Sequence, residues 1–270
     1  MSYVFRLNDA ERHEQWFRSD IGRMVLAMQR NLLRKVWAPV SPQRVLEVGC
    51  GSGIFLEWLA ADGHLVTGLD PSGPALELAR GKLGDKVSLD WGFAEDLPYS
   101  DNEFDTVALI TSLEFVEDPA KALREACRVA RRHVLLGTLN RYSVGPIHFF
   151  LERLWKEPVY RNARFFSVFQ LRRMAWTALS GKIPIKWRTC MTFPLPVLRY
   201  LQLLERCPLM HRQPFGQFIA MRIDMRFRIQ AIQTPIFSEI PGGVANASMR
   251  SMLYRSSRGD SSSIKPVEIS

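Results

Sequence analysis

Paired cysteines, an export signal and a long apolar run are all missing from this sequence of 270 residues. No stretch of about eighteen uninterrupted apolar residues occurs, and the first residues, MSYVFRLNDAERHEQWF, have no apolar centre of signal-peptide length. The four cysteines are widely spaced, and without a C-x-x-C pair they suggest neither a zinc site nor a redox couple; they are Cys50, Cys127, Cys190 and Cys207. These absences predict a cytoplasmic protein with reduced thiols and no metal site.

Acidic residues are scarce in the second half of the chain. Residues 1–140 carry 16 Lys and Arg against 20 Asp and Glu, whereas residues 141–270 carry 20 against 7. The whole positive excess behind the net charge of +9 therefore lies in the second half. A basic face favours anionic partners, so a peripheral membrane surface or another anionic partner is one prediction for this half. An arginine-rich face that is only solvated is the alternative.

The apolar pattern predicts alternating helices and strands. Spacings of three and four over residues 11–36 predict an amphipathic helix, or two helices interrupted near Gly22. Strands are then predicted at 45–48, 65–69, 87–91, 104–110 and 133–139, and helices at 54–61, 72–80 and 119–130. Because these strands are almost continuously apolar and separated by helices, we expect a parallel sheet covered on both faces.

After Asn140 the pattern changes. Helices are predicted at 144–155 and 167–179, with Ser167 as the N-cap of the second, and strands at 183–192 and 217–229. Polar and apolar residues alternate in 217–229, which is typical of an edge or half-exposed antiparallel strand. Between these strands lies a proline-bounded insertion, 194–214, with a short helical centre at 198–204.

The predicted fold is therefore α/β: a Rossmann-like doubly wound, mostly parallel seven-stranded sheet with an antiparallel C-terminal strand and an added N-terminal helix. Residues 1–42 are expected to form an N-terminal helical lid and 43–140 the core. Residues 141–240 would complete the same domain. The polar, serine-rich residues 241–270 are expected to be a disordered tail.

The run VLEVGCGSG, residues 45–53, ends a predicted strand in a glycine-rich turn. Glycines let the backbone approach a ligand, and the following helix start offers free N–H groups. Dinucleotide-binding folds space these glycines as G-x-G-x-x-G, but here the third one, Gly53, arrives one position early and Ile54 stands in its place. This spacing favours a cofactor without a pyrophosphate. An NAD-dependent oxidoreductase stays open only if Ile54 tolerates a pyrophosphate.

A carboxylate ends the second predicted strand. Asp70 stands about twenty positions after the glycine turn, where such folds place the acid that binds a ribose. Its two oxygens can accept both vicinal ribose hydroxyls, which Asn or Ser cannot copy. An N-cap role before Pro71 is the alternative.

Four segments carry a resemblance to a known family. They are VLEVGCGSG, GLDPS, GFAEDLPYSDNEFDTV and SLEFVEDPAKALREACRVA, and they cover about residues 44–140. In their order and spacing the chain resembles the class I S-adenosylmethionine-dependent methyltransferases, in particular the type 11 methyltransferase domain also seen in ubiquinone and menaquinone methyltransferase-like proteins. The segments EQWFRSDIGRMV and ARFFSVFQLRRMA extend the resemblance to about residue 180.

The resemblance implies S-adenosyl-L-methionine as cofactor. Glu47 and the turn 49–53 would hold its amino acid end, Asp70 its ribose, the loop 93–96 its adenine, and Thr111 with Ser112 would lie beside the sulfonium. The full expected set is Glu47, Gly49, Cys50, Gly51, Ser52, Gly53, Asp70, Pro71, Phe93, Ala94, Glu95, Thr111 and Ser112.

Two positions depart from the family pattern. Many relatives have an acid where Phe93 stands, so adenine recognition here would rest on stacking and main chain. Many also carry a histidine after the glutamate of the fourth segment, where this chain reads Leu113-Glu114-Phe115. This second departure puts a general base from that segment in doubt. The catalytic residues therefore stay unassigned.

The acceptor is expected to be a small molecule, with aromatic, quinone-like and lipid-like compounds as candidates. Methyl transfer needs mainly alignment of the acceptor and exclusion of water, with an acid or base optional. The acceptor pocket should lie beyond the carboxyl ends of the strands. We expect it to be lined by Trp16, Phe17, Arg141, Tyr142 and His148, although core packing is the alternative for each aromatic residue.

Two other functions stay open. A noncatalytic S-adenosylmethionine-binding or assembly protein would explain both the missing histidine and the basic second half. Nucleic-acid methylation would also use positive charge. It is disfavoured because the basic residues are dispersed and the N-P-P-Y signature of base-flipping amino-methylases is absent.

Overall fold

A computed structural model describes residues 4–143, 163–198, 200–205 and 207–225. Its strands are β1 Arg44–Val48, β2 Leu65–Asp70, β3 Ser88–Trp91, β4 Phe104–Ile110, β5 Ala130–Leu139, β6 Ile185–Cys190 and β7 Phe218–Asp224. Its helices are α1 Leu7–Arg18, α2 Asp20–Trp37, α3 Ile54–Ala61, α4 Gly73–Leu83, α5 Pro119–Val129, α6 Val168–Ala178, α7 Leu195–Leu198 and α8 Gln202–Glu205.

The seven strands form one sheet in the order β3-β2-β1-β4-β5-β7-β6. Strands β1 to β5 pair in parallel, and β7 pairs antiparallel with both β5 and β6. This confirms the predicted doubly wound α/β fold with an antiparallel C-terminal strand. The strand order reverses between β1 and β4, and such a reversal opens a crevice outside the carboxyl ends of the parallel strands.

Helices cover both faces of the sheet. Residues of α5 and α6 pack on one face around Leu123 and Leu171, both fully buried. Residues of α2, α3 and α4 pack on the other, around Leu33 and Leu56. Strand β4 is buried along its whole length, including Asp105 and Thr106, as its mostly apolar sequence predicts.

The N-terminal region is two helices rather than one, and the break lies at Ser19, three residues before the predicted position. Ser19 caps α2 by accepting a hydrogen bond from Gly22 N to its Oγ at 3.1 Å. Gly22 is needed because the chain turns tightly here: a Cβ at this residue would stand 2.0 Å from Trp16 O. Helix α2 then lies across β5, β6 and β7. It therefore forms part of the sheet's cover.

The edge prediction for the last strand is wrong. Strand β7 lies between β5 and β6, and residues 218–221 are buried on both faces. The alternating arginines and acids that suggested exposure begin only at Arg222 and Asp224, near the end of the strand. These two side chains pair with each other at 3.1 Å. Ser167 does cap α6, accepting from Gln170 N at 3.2 Å.

Two predicted elements lie outside the described residues: the helix at 144–155 and the tail at 241–270. Within the described ranges, no helix is both long enough and apolar enough to cross a membrane.

Two glycine substitutions should have opposite effects on stability. Gly22→Ala should lower the free energy of unfolding by about 2 kcal/mol or more, because the new Cβ has no room beside the Trp16 carbonyl. Gly81→Ala, inside α4 with open space at the Cβ position, should raise it by about 0.5–1 kcal/mol. Urea unfolding followed by circular dichroism measures both. Equal effects of the two changes would contradict the tight-turn explanation.

Candidate active site

A cavity opens at the carboxyl ends of β1, β2 and β4, where the strand order reverses. Its empty space is about 890 Å³ when the open solvent at its mouth is counted. The expected cofactor residues that line it are Glu47, Gly49, Cys50, Gly51, Ser52, Asp70, Pro71, Phe93, Ala94, Glu95, Thr111 and Ser112. The structure therefore brings twelve of the thirteen expected cofactor residues together around one cavity.

Asp70 ties the cavity wall together. Its Oδ2 accepts a hydrogen bond from Gly51 N and its Oδ1 accepts one from Ser72 N, both at 2.8 Å. Burial raises the pKa of Asp70, and these two bonds partly offset that rise. Each carboxylate oxygen has a second lone pair, so the side chain can hold the turn and still accept hydroxyl groups from a ligand.

Glu47 is an unsatisfied acid in the same wall. It sits on β1, is 1% exposed, and its Oε2 has no hydrogen-bond partner among the described residues. Burial, reinforced by the charge of Asp70, raises the pKa of Glu47 well above its ordinary value. Leaving such a group buried and unpaired is costly, so a donor from outside the chain is the expected partner.

The three glycines of the turn have different surroundings. Gly51, with φ of +53°, has nothing within 4 Å of the Cβ position and leaves open space at the turn. A Cβ on Gly49 would stand 2.4 Å from Ser112 Cβ. Gly53 does not line the cavity: its Cβ position is 2.8 Å from Leu83 Cδ1, so it packs α3 against α4.

The loop after β3 forms the next part of the wall. The ring of Phe93 lies 5.4 Å from that of Trp91, edge to face, and Phe93 lines the cavity. Glu95 Oε1 accepts hydrogen bonds from Glu117 N at 2.8 Å and Asp118 N at 3.3 Å. Glu95 thereby joins this loop to the start of α5.

The end of β4 supplies two hydroxyl groups. Thr111 has a left-handed backbone, φ +50°, which is strained for a β-branched residue, and Thr111 N donates to Gly137 O at 2.7 Å. Ser112 is buried, and its Oγ has no hydrogen-bond partner among the described residues. Phe115 follows on the same wall.

Helix α1 and the residues before it cover the cavity. Phe5 O accepts from Ser72 Oγ at 2.7 Å, and the Phe5 ring meets the Phe115 ring at 5.2 Å. His13 lines the cavity, with its ring 6.0 Å from that of Phe5. Burial lowers the pKa of His13 to about 4, which leaves its imidazole neutral near pH 7.

A carboxylate fixes α1 against the glycine turn. Glu14 Oε2 accepts from Ser52 Oγ at 2.6 Å, and Lys82 Nζ of α4 donates to both Glu14 oxygens at 3.1 Å. Helix α1 is thus held by α4 and by the turn that lines the cavity.

The residues expected to contact the acceptor mostly lie elsewhere. Trp16 and Phe17 do not line this cavity, and Phe17 is buried between the helices. Arg141 and Tyr142 follow β5 and are also absent from the lining, and Tyr142 is half exposed. His148 lies outside the described residues.

Sequence reasoning missed ten lining residues, among them Phe5, Ala10, His13 and Phe115. A signal was available for two of them. Ala10 and His13 stand seven and four residues before Phe17, so they share its side of a helix. Trp16 and Phe17 are the larger side chains of α1, but Ala10 and His13, nearer its start, are the ones that line the cavity.

Comparisons with known proteins agree with this geometry. A family model described as a methyltransferase domain matches residues 46–136. The ubiquinone biosynthesis O-methyltransferase of Thiobacillus denitrificans is 34% identical over 160 residues, which are 54% of this chain and 69% of that protein.

The chain belongs to the S-adenosylmethionine-dependent methyltransferase family.

Solved structures support the same fold for this methyltransferase. A methyltransferase from Thermotoga maritima aligns with a TM-score of 0.63 at 24% identity, covering 82% of this chain and 97% of that one. Magnesium protoporphyrin IX methyltransferase from Synechocystis, solved with S-adenosylhomocysteine, aligns at 0.54 and 16% identity, covering 76% and 85%.

The cofactor is S-adenosylmethionine, and the cavity lining fits it. We propose that Glu47, whose Oε2 lacks a partner, pairs with the cofactor's ammonium group. The open space at Gly51 would admit its amino acid end. We assign Asp70 to the ribose hydroxyls, and Phe93 with Ala94 to the adenine.

Glu47→Gln should stabilise the free methyltransferase and weaken cofactor binding. The folded pKa of Glu47 lies above its ordinary 4.5, so its contribution to stability is full below pH 4.5 and is lost as the pH rises. At pH 7 the amide should therefore raise the free energy of unfolding by about 1–3 kcal/mol. The affinity for S-adenosylhomocysteine should fall about tenfold or more in calorimetry, because the ammonium loses its charged partner.

Glu205→Gln is the matched control. Glu205 is equally buried but lies outside the cavity, so the affinity for S-adenosylhomocysteine should stay as in the parent. Unchanged affinity in Glu47→Gln would remove the assignment of Glu47 to the ammonium.

Proposed function

We propose that this methyltransferase transfers a methyl group to the hydroxyl oxygen of a small, apolar aromatic acceptor. One observation carries the proposal. The cavity that holds Glu47 and Asp70 also holds a separate apolar group formed by Phe5, Phe115 and Val116, with the His13 imidazole beside it.

The lining supports a flat, uncharged acceptor. Phe5 and Phe115 meet edge to face, a geometry that can accept another ring on an exposed aromatic face. No lysine or arginine is among the described residues that line the cavity, so a carboxylate or phosphate beside the sulfur would find no cation there. The ubiquinone biosynthesis O-methyltransferase named above supports oxygen as the atom that is methylated.

The reaction needs an aligned oxygen, a dry site and a place for one proton. When bound, S-adenosylmethionine supplies an electrophilic methyl group on a positively charged sulfur. The hydroxyl groups of Thr111 and Ser112 would orient the acceptor oxygen, and the rings of Phe5 and Phe115 would exclude water. Methyl transfer to the acceptor oxygen would leave the sulfur neutral, with the former carbon–sulfur electron pair, so the residues of this chain would need to accept only the acceptor's proton.

We assign the acceptor's proton to His13. The ring is neutral at physiological pH because burial depresses its pKa, so one of its two nitrogens carries no proton at the start of the reaction. A methylated oxygen that still carries its proton is a strong acid, so even this weak base can accept that proton. The neutral ring also avoids placing a second positive charge beside the sulfonium.

The acceptor class is tested with a panel of soluble catechols and hydroquinones, with matched aromatic amines as the comparison. Purified methyltransferase and isotopically methyl-labelled S-adenosylmethionine should yield S-adenosylhomocysteine and an O-methylated ring with at least one of the hydroxyl compounds. Label transferred only to amines, or to none of the panel while S-adenosylhomocysteine still binds, would contradict the proposed acceptor.

His13→Ala should lower kcat by about a hundredfold and leave the affinity for S-adenosylhomocysteine within about twofold of the parent, because the imidazole acts on the acceptor side. His211→Ala is the control, since His211 lies outside the cavity. In the parent, kcat should show no ionisation near pH 6–7, as the pKa of His13 is about 4. A kcat that survives the loss of His13 would exclude it as the base.

A further inference from the structure

Residues 191–217 lie between the last two strands in sequence. They connect β6 to β7, and both ends of this segment lie at the active edge of the sheet, because Phe218 pairs with Leu139 at the carboxyl end of β5 and also with Cys190. We call residues 191–217 the β6–β7 insertion.

The insertion is tied down by buried polar contacts. Glu205, 3% exposed, accepts hydrogen bonds from Met191 N at 3.1 Å and Thr192 N at 2.5 Å. Asn140, fully buried at the end of β5, donates through Nδ2 to Pro214 O and Gly216 O, each at 2.7 Å. These hydrogen bonds therefore fix both ends of the insertion, one set within it and one set to the end of β5.

Its outer surface is apolar. Five large side chains lie between 44% and 72% exposed: Val197, Tyr200, Leu204, Leu209 and Phe215. Among the apolar residues from Pro194 to Phe215 whose side chains the structure describes, Leu198 alone is fully buried. Large apolar residues concentrated on one surface segment mark an interaction site more often than single scattered ones do.

The same segment has no exposed negative charge. Its sequence contains one acid, Glu205, and that carboxylate is buried by the contacts described above. Its sequence also contains Arg199, Arg206 and Arg212, and Arg212 is exposed. Apolar side chains next to arginines, without acids, are the composition of peripheral segments that rest on anionic lipid.

We propose that the β6–β7 insertion docks this methyltransferase on an anionic membrane surface. A membrane fits better than a protein partner because the positive charge is not confined to the insertion: the described residues after Asn140 carry nine Lys and Arg against two acids. A positive excess of this size, together with exposed apolar side chains, matches an extended negative plane.

Docking by this surface would bring the carboxyl-terminal edge of the sheet, where the cavity opens, near the lipid. The insertion and the cavity belong to the same edge of the sheet, so an apolar acceptor dissolved in the bilayer would have a short path to the cofactor. This consequence rests on the proposed aromatic acceptor. The docking itself does not.

The full-length protein is tested by flotation with phosphatidylcholine vesicles, with and without phosphatidylglycerol. The parent should float with the anionic vesicles and far less with the neutral ones, and added salt should weaken the binding. Leu209→Glu should weaken binding at least about tenfold, because it puts a charge where an apolar side chain enters the interface. Leu65→Glu is the matched control: Leu65 is 68% exposed against 69% for Leu209, but it starts β2 at the opposite edge.

Several outcomes would overturn the proposal: no flotation of the parent, equal flotation with neutral vesicles, or equal losses in the two variants. Loss of folding in Leu209→Glu, seen in the melting temperature, would mean that other residues of the chain cover this surface. Tyr200→Ser then serves as the second, milder variant, and its unchanged flotation would also count against docking. S-adenosylhomocysteine binding is measured in every variant, so that a failure to float is separated from a failure of the methyltransferase assignment.

Discussion

The arrangement of the active edge depends on one buried carboxylate. Asp70 accepts from Gly51 N and from Ser72 N, and so joins the turn after β1 to the start of α4. Ser72 then reaches Phe5 through its hydroxyl, which extends the same connection to the residues that cover the cavity. A neutral amide at Asp70 offers only one acceptor atom, so it cannot make both of these bonds. Cofactor recognition and local folding therefore use the same side chain.

A set of buried acids shows where stability is given up for function. Glu47 and Glu114 are both 1% exposed, and each has one carboxylate oxygen without a hydrogen-bond partner among the described residues. Burial raises the pKa of Glu114 to about 8, even though Leu139 N donates to its other oxygen at 2.7 Å. An apolar residue of similar size would cost less at either position. Glu47 has an outside partner to gain, whereas Glu114 spans the ends of β4 and β5 and helps to hold the strand ends that shape the cavity.

The sequence was sufficient where the local pattern and the tertiary fold agree. Helix 54–61 and strand 104–110 have the predicted bounds because a glycine turn precedes the helix and the strand is mostly apolar. It was insufficient where the outcome depends on a distant neighbour. Gly53 has the same local setting as Gly51, and only the position of α4 makes it a packing residue. Strand β7 reads as half exposed because nothing local reveals that β6 will cover its outer edge.

The position of the imidazole in the site could not be read from the motif that usually supplies it. The segment after β4 carries Phe115 where many relatives have a histidine, and that absence alone favours a noncatalytic protein. In the structure Phe115 contacts Phe5, and Phe5 contacts His13. The cavity wall near the end of β4 therefore has an imidazole, and it comes from α1. A base carried by α1 is present only when that helix is in place. Because Glu14 holds α1 to Ser52 of the cofactor turn, assembly of the cofactor site and placement of the imidazole are physically linked. Phe115, which stands where many relatives have a histidine, thus forms part of the apolar wall beside the His13 imidazole.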